Sequence, residues 1–273
     1  VPYPIESALS GIQRHEDRMW YRRTFAVPES WDVGRGQRLR LNFGAVDHTA
    51  IVWVNGTEVA SHTGGYTRFS ADVTEALEPS GPQEIVVGVE DRTDATWQPV
   101  GKQRNVPDRG IFYTGSSGIW QSVWMEPVPA RAYVADLDTA TDVDTDTLAL
   151  TVDTGGDTTG LRVRTVVRDG DVQVAAAEGA PGRPLVAQVP DAHLWSPDDP
   201  FLYDLRVSLK SGSTVGDQVT SYFGMRSIEV RQLGPALRLM LNGEFVFQVG
   251  TLDQGFWPEG LHTQPSDAAL RAH

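Results

Sequence analysis

Residues 50–62 read AIVWVNGTEVASH, two apolar runs joined by Asn55-Gly56. Asn-Gly is the pair that best accepts positive φ at both centres of a two-residue hairpin turn. This stretch therefore predicts an antiparallel hairpin, and the rest of the chain repeats its grammar. WYRRTFAV (20–27) puts Tyr21, Arg23, Phe25 and Val27 on one face, and RLRLNFG (38–44) alternates Leu39, Leu41 and Phe43 with polar residues. EIVVGVED (84–91) and GIWQSVWMEPV (118–128) read as further strands, while FSADVTEAL (69–77) fits a strand end or one helical turn. Helical periodicity is scarce, and Gly, Pro, Asn and Asp punctuate short alternating runs. That pattern predicts an all-β chain.

The longest irregular stretch of the first half is 93–117, containing Trp97, Pro99, Gly101, Pro107, Gly110 and Gly115. Long loops in compact domains are often binding loops, and a surface crossover is the equal alternative. After Pro127-Val128-Pro129 the aromatics thin out. Short strands then recur at regular spacing, as in LRVRTVVRDG, FLYDLRVSLK and DQVTSYFG. This predicts a second β-sandwich over 131–231, of ordinary size for that fold. LRLMLNGEFVFQVG holds another hairpin signal at Asn242-Gly243. Phe245 to Val249 is apolar on nearly every residue, which predicts a strand buried on both faces of a parallel sheet. Ser266-Asp267 is expected to cap a helix.

Net charge is −13, which argues against nucleic acid and anionic membranes as partners. No run approaches the ~18–20 apolar residues of a membrane span. The first residues, VPYPIESALSG, lack the basic head and apolar core of a signal peptide. There are no cysteines, so disulfides, thiolate metal sites and a Cys nucleophile are excluded, while the compartment stays undefined. Asp142, Asp144 and Asp146 are spaced like the start of a calcium loop. However, Thr147 stands where that loop needs Gly, and Asp153 where it needs Glu. Six histidines show no HExxH pattern. No metal and no cofactor is expected. GxSxG, P-loop and dinucleotide motifs are likewise absent. Gly64-Gly65-Tyr66 suggests a tight backbone path with a structural role.

MWYRRTFAVP, VWVNGTEVASHTGGYTRFSADVT, GKQ and GIWQSVWMEPV, in that order, closely resemble the N-terminal sandwich of glycoside hydrolase family 2. That family includes β-galactosidases, β-glucuronidases and β-mannosidases. HLWSPDDPFLYDLRVSL and SYFGMRSIEV resemble the end of its immunoglobulin-like domain. LNGEFVFQVGTLDQGFWPEGLHTQPSDAAL resembles the opening of its catalytic barrel. The resemblance implies a jelly-roll-like β-sandwich (1–130), an immunoglobulin-like β-sandwich (131–231) and a C-terminal fragment of a (β/α)8 barrel (232–273).

The same resemblance implies a carbohydrate partner and no catalytic residues in this chain. The family's two catalytic glutamates sit on later barrel strands, one of them in an Asn-Glu pair, and no Asn-Glu dipeptide occurs here. The chain is therefore read as truncated at both ends and inactive alone. Active sites of such barrels lie at the C-terminal ends of the strands, which makes Asp253, Gln254 and Trp257 candidate substrate contacts. Trp97, Gln103, Arg104 and Arg109, from the long loop, could face the same sugar. Galactosidase- and glucuronidase-like members carry an Asp near the position of Phe112-Tyr113, and the nearest acid upstream here is Asp108. That departure weakens the expectation of those two activities. Two other readings stay open, a stand-alone carbohydrate-binding module and a structural sandwich pair. An orphan strand-helix unit also predicts self-association or a disordered tail.

Overall fold

The computed structural model of the chain describes residues 1–95, 97–105 and 110–273. It separates into two compact units, residues 1–128 with 252–273, and residues 129–251. No helix is long and apolar enough to cross a membrane among the described residues.

Among its described residues the first unit contributes eleven strands: β1 (Arg18–Phe25), β2 (Gln37–Phe43), β3 (Val46–Asp47), β4 (Thr49–Val54), β5 (Thr57–Thr63), β6 (Phe69–Asp72), β7 (Gln83–Glu90), β8 (Gln103–Arg104), β9 (Tyr113–Thr114), β10 (Gly118–Ile119) and β11 (Val123–Pro129). One sheet runs β1-β7-β4-β5 and another β11-β2-β6, with β10-β3 and β8-β9 as small additions. Their inner faces meet over Leu39, Leu41, Phe43, Val52, Val54, Val87 and Val89. The alternation that predicted RLRLNFG as a strand is the alternation that buries Leu39 and Phe43 completely. Phe43 stacks on Phe69 at 4.6 Å between ring centroids. Val54 pairs with Thr57 across Asn55-Gly56, whose φ values of 48° and 81° are the left-handed pair that this turn requires.

Residues 118–128 form two strands, not one. The ladder breaks at Trp120, whose buried indole donates its N–H to the Gly65 carbonyl at 2.7 Å. Residues 69–77 combine both expected forms, a strand to Asp72 and a 3-10 turn at Thr74–Ala76.

The second unit holds β12 (Ala132–Asp142), β13 (Thr147–Gly156), β14 (Arg162–Asp169), β15 (Val172–Gly179), β16 (Leu185–Gln188), β17 (Tyr203–Ser211) and β18 (Thr214–Phe223). Sheets β12-β13-β16 and β15-β14-β17-β18 enclose Leu148, Leu150, Val163, Leu205 and Leu209. Seven antiparallel strands in two such sheets make a sandwich of immunoglobulin type. The acidic triplet sits at the turn between β12 and β13, where the Asp142 carboxylate accepts from the backbone N–H of Asp144 and Thr145. Three further strands, β19 (Ile228–Leu233), β20 (Ala236–Leu241) and β21 (Glu244–Phe245), form a separate sheet. Asn242-Gly243 makes its predicted turn, with φ of 51° and 78°.

The strand expected from Phe245 to Val249 does not form. Only Glu244–Phe245 pairs, and residues 246–251 belong to no strand. Phe247 and Val249 are 75% and 86% exposed. A strand buried on both faces needs parallel neighbours to accept its hydrogen bonds and cover it, and this chain supplies none at that place. The helix start does form, as α1 (Asp267–Ala272), with the Ser266 hydroxyl accepting from the N–H of Ala269 at 3.1 Å.

Candidate functional site

Residues 252–265 fold back along the first sandwich, held by named bonds. The Leu9 N–H donates to the Glu259 carbonyl at 3.3 Å, and the Tyr3 hydroxyl to the Pro265 carbonyl at 3.2 Å. Thr263, buried, donates its hydroxyl to the carbonyls of Trp120 and Pro2. Trp257 and Leu261 exchange backbone hydrogen bonds of 2.8 and 3.0 Å, closing the loop tip.

This return path brings Gln254 against the long loop of the sandwich. Its Oε1 accepts from Lys102 Nζ at 3.1 Å and from the Tyr113 hydroxyl at 2.9 Å. Phe256 stacks on Tyr113 at 4.0 Å with only 8° between planes. His262 packs against Phe256 at 4.5 Å and edge-on to Trp120 at 5.3 Å. Beside this aromatic chain lies a cavity of about 520 Å³ lined by Tyr66, Arg68, Trp120, Gln121, His262 and Gln264, among others. Aromatic faces with an arginine and amides around them can stack on a sugar ring and bond its hydroxyls.

The expected site residues divide. Gln254 joins Lys102 and Tyr113 as described. Asp253 is exposed and accepts from the Gly255 N–H at 2.8 Å, which shapes the loop. Trp257 is half-buried with its ring 5.0 Å from that of His273. Gln103 is 2% exposed: it donates to the Tyr66 hydroxyl at 3.0 Å and accepts from the Ser116 N–H at 2.7 Å. It therefore positions Tyr66 from below and is closed to a ligand. Arg104 stacks over the ring of Phe112 at 4.3 Å. Trp97 is fully exposed, with no ring partner among the described residues. Arg109 and Asp108 lie outside the described residues.

Beneath this edge sits a buried acidic network that no sequence motif announced. Asp47, Asp91 and Glu6 come from three distant places in the chain. Asp47 is 1% exposed and its Oδ1 has no hydrogen-bond partner among the described residues. A Cβ on Gly65 would lie 2.4 Å from that oxygen, so glycine is the residue that lets the backbone pass. Burial pushes the Asp47 carboxyl up to about 7, aided by the charges of Asp91 and Glu6 and opposed by a hydrogen bond from Gln103. Asp91 accepts from the Thr93 N–H at 2.7 Å and from Gln98 Nε2 at 2.8 Å. Glu6 accepts from the Ser117 N–H at 2.9 Å and meets His15 Nδ1 at 2.9 Å. Burial lowers the pKa of His15, but its contacts with Glu6 and Asp17 outweigh that and leave it raised. Tyr66 is raised by burial and by the charge of Asp47, and His262 is lowered by burial.

Lys102, Tyr113 and Phe256 were not singled out as site residues from sequence. The one signal was GKQ, whose lysine proves to be the Gln254 partner. Among the described residues no group of three or more His, Asp and Glu is arranged to hold a metal ion.

Two family models match the chain: the glycosyl hydrolase family 2 sugar-binding domain over residues 1–129 and a second glycosyl hydrolase family 2 domain over 132–226. The chain belongs to glycoside hydrolase family 2. A β-glucuronidase of Paenibacillus borealis is 28% identical over 89% of this chain and 42% of its own length. That of Rattus norvegicus is 29% identical over 90% of this chain and 41% of its own. The structure of a Bifidobacterium dentium β-glucuronidase complexed with coumarin-3-O-glucuronide superposes with a TM-score of 0.78 at 26% identity. The superposition covers all of this chain and 49% of that one. The chain thus spans under half the length of these relatives.

Proposed function

We propose that this chain is the non-catalytic, carbohydrate-facing portion of a retaining family 2 glycosidase acting on β-linked sugars. The observation that carries the reading is the Gln254 bridge. Lys102 and Tyr113 fix the Oε1 of Gln254, and its Nε2 has no hydrogen bond among the described residues. A fixed amide donor, an ammonium with spare protons and a stacked aromatic pair form a compact set for sugar hydroxyls. Asp253, Trp257 and the exposed ring of Trp97 extend the same proposed substrate edge. Hydrolysis itself needs two facing carboxyl groups across the glycosidic bond. The acids Asp47, Asp91 and Glu6 are buried below the surface and closed to a sugar, so catalysis is assigned to residues outside this chain.

The relatives above are β-glucuronidases, which makes glucuronides the first substrates to test. Phe112 and Tyr113 stand where an active-site Asp was expected for that activity, so the proposal stops at β-linked glycosides. The test assays this chain against aryl β-glucuronide, β-galactoside and β-mannoside, expecting no turnover. Turnover abolished by replacing one Glu would overturn the non-catalytic reading. In parallel, calorimetric titration with the methyl β-glycosides should show weak binding that Gln254→Ala and Lys102→Ala each reduce. Equal binding by both variants removes the Gln254 edge from the proposal.

A further inference from the structure

The outer face of the β1-β7-β4-β5 sheet carries two tryptophans that the interior does not use. Along β1, Met19, Tyr21 and Phe25 pack on the first core, and strand alternation turns Trp20 and Arg22 the opposite way. Trp20 is opposite Gly88 across the ladder, and Trp53 is opposite Val86 in the next row. The Trp20 ring lies directly over Gly88: a Cβ there would be 2.9 Å from ring atom Cζ3. The glycine thus clears a bed for the indole. One side of the ring rests on backbone, Trp53 supports it at 5.6 Å and 32° tilt, and Trp20 remains 71% exposed.

The rim of this face is charged but self-neutralised. Arg18 and Arg92 both donate to Glu90, at 3.2 and 3.0 Å, and Arg22 donates to Glu84 at 2.7 Å. Glu58 stands opposite Trp53 on β5. Three arginines face three glutamates, in a chain whose net charge is −13. A strongly basic or acidic partner therefore finds no complementary field here. A neutral ligand rich in hydroxyl groups finds an apolar plate bordered by fixed donors and acceptors.

We propose that this face is a second carbohydrate-binding site, separate from the Gln254 edge, for a neutral β-linked oligosaccharide. Pyranose rings joined through equatorial bonds present flat faces of axial C–H groups, which stack on an indole plate. Trp20 is the stacking residue and Trp53 its support. The Arg18–Glu90 and Arg22–Glu84 pairs bond the ring hydroxyls. Such a site holds polymeric substrate near an enzyme without taking part in bond cleavage, and it does not depend on the Gln254 reading.

The test titrates the 273-residue chain with cellotetraose and xylotetraose, following the Trp20 indole N–H by NMR and the affinity by calorimetry. The expected result is saturable binding of at least one of the two, with a shift of the Trp20 signal. Trp20→Ala should weaken it about tenfold or more, as loss of a central aromatic anchor does. Trp20→Tyr should recover part of the affinity, and Arg162→Ala, an exposed change in the second unit, should leave it unchanged. Thermal melts check that the variants stay folded. Failure of both sugars to bind at millimolar concentration overturns the proposal, as does binding that Trp20→Ala retains. Binding lost in Gln254→Ala instead returns the sugar to the other edge and overturns it too. A dimer that Trp20→Ala dissociates in sedimentation, without any sugar effect, makes this face a protein interface and equally overturns it.

Discussion

Replacing Asp47 by Asn should change how the first unit's stability depends on pH. In the folded chain the Asp47 carboxyl titrates at about 7, against 3.8 for a free aspartate. Below the lower value both folded and unfolded states carry the proton, and burial imposes no charge penalty. Between the two values the unfolded chain releases its proton while the folded chain holds it, so stability falls as pH rises. Above about 7 both states are ionised and the loss is complete. The shift of roughly three pH units, at about 1.36 kcal/mol each, corresponds to about 4 kcal/mol. An asparagine side chain at this position would keep the shape and remove the charge. The variant should therefore lose this slope and gain on the parent as pH rises.

Urea unfolding at a series of pH values between 4 and 8, followed by tryptophan fluorescence, measures it. Seven of the eight tryptophans belong to the first unit, so the signal reports mainly on that unit. Two other shifted groups add slopes of their own. His15, also raised, stabilises at low pH and ceases to as pH climbs through its folded value. Asp72, held low by Thr74 and Arg38 despite burial, acts in the opposite sense and only under acid. The difference between parent and variant cancels both to first order. A difference that is flat from pH 4 to 8 refutes the reasoning, because Asp47 would then be ionised in both states or in neither.

Phe43→Ala removes a fully buried ring stacked on Phe69, and should cost about 3–5 kcal/mol in the same urea experiment. Gly118→Ala should also be strongly destabilising, by more than about 2 kcal/mol. Its φ is +86° and the added Cβ would lie 2.0 Å from the Tyr21 hydroxyl, read out as a lowered urea midpoint. Arg162→Ala breaks an exposed pair with Glu178 at 2.7 Å and should change stability by less than about 1 kcal/mol.

Hairpins and sandwich faces were legible because local chemistry decides them. Asn55-Gly56 and Asn242-Gly243 both adopt positive φ between their apolar runs, and Leu39, Leu41 and Phe43 need only alternation to find the core. The strand expected at 245–249, which does not form, had the right composition, but a strand with two-sided burial is defined by neighbours, and composition does not state whether they exist. Gln103 fails differently. An amide in a loop looks like a ligand contact, yet its hydrogen bonds to Tyr66 and to the Ser116 backbone reach positions 37 before and 13 after it. No window short enough to show a pattern contains both.

The same limit explains why the partners of Gln254 and the acidic network are not legible in the sequence, while the Trp20 face is half visible. Lys102 and Gln254 are 152 residues apart, and their meeting depends on the return of residues 252–265 along the sandwich, which the bonds of Thr263, Tyr3 and Leu9 enforce. Asp47 becomes a proton-holding group only because Gly65, Asp91 and Glu6 converge on it from separate segments. Trp20, in contrast, is placed by its own strand: its neighbours Met19 and Tyr21 go inward, so it must go outward. What the strand does not reveal is Gly88 beneath it, which turns an ordinary exposed tryptophan into a supported plate. A Gly88→Val substitution tests that step directly. It should tilt the Trp20 ring off the sheet and reduce sugar affinity with Trp20 still present, whereas a sugar that needs only the indole itself would bind as before.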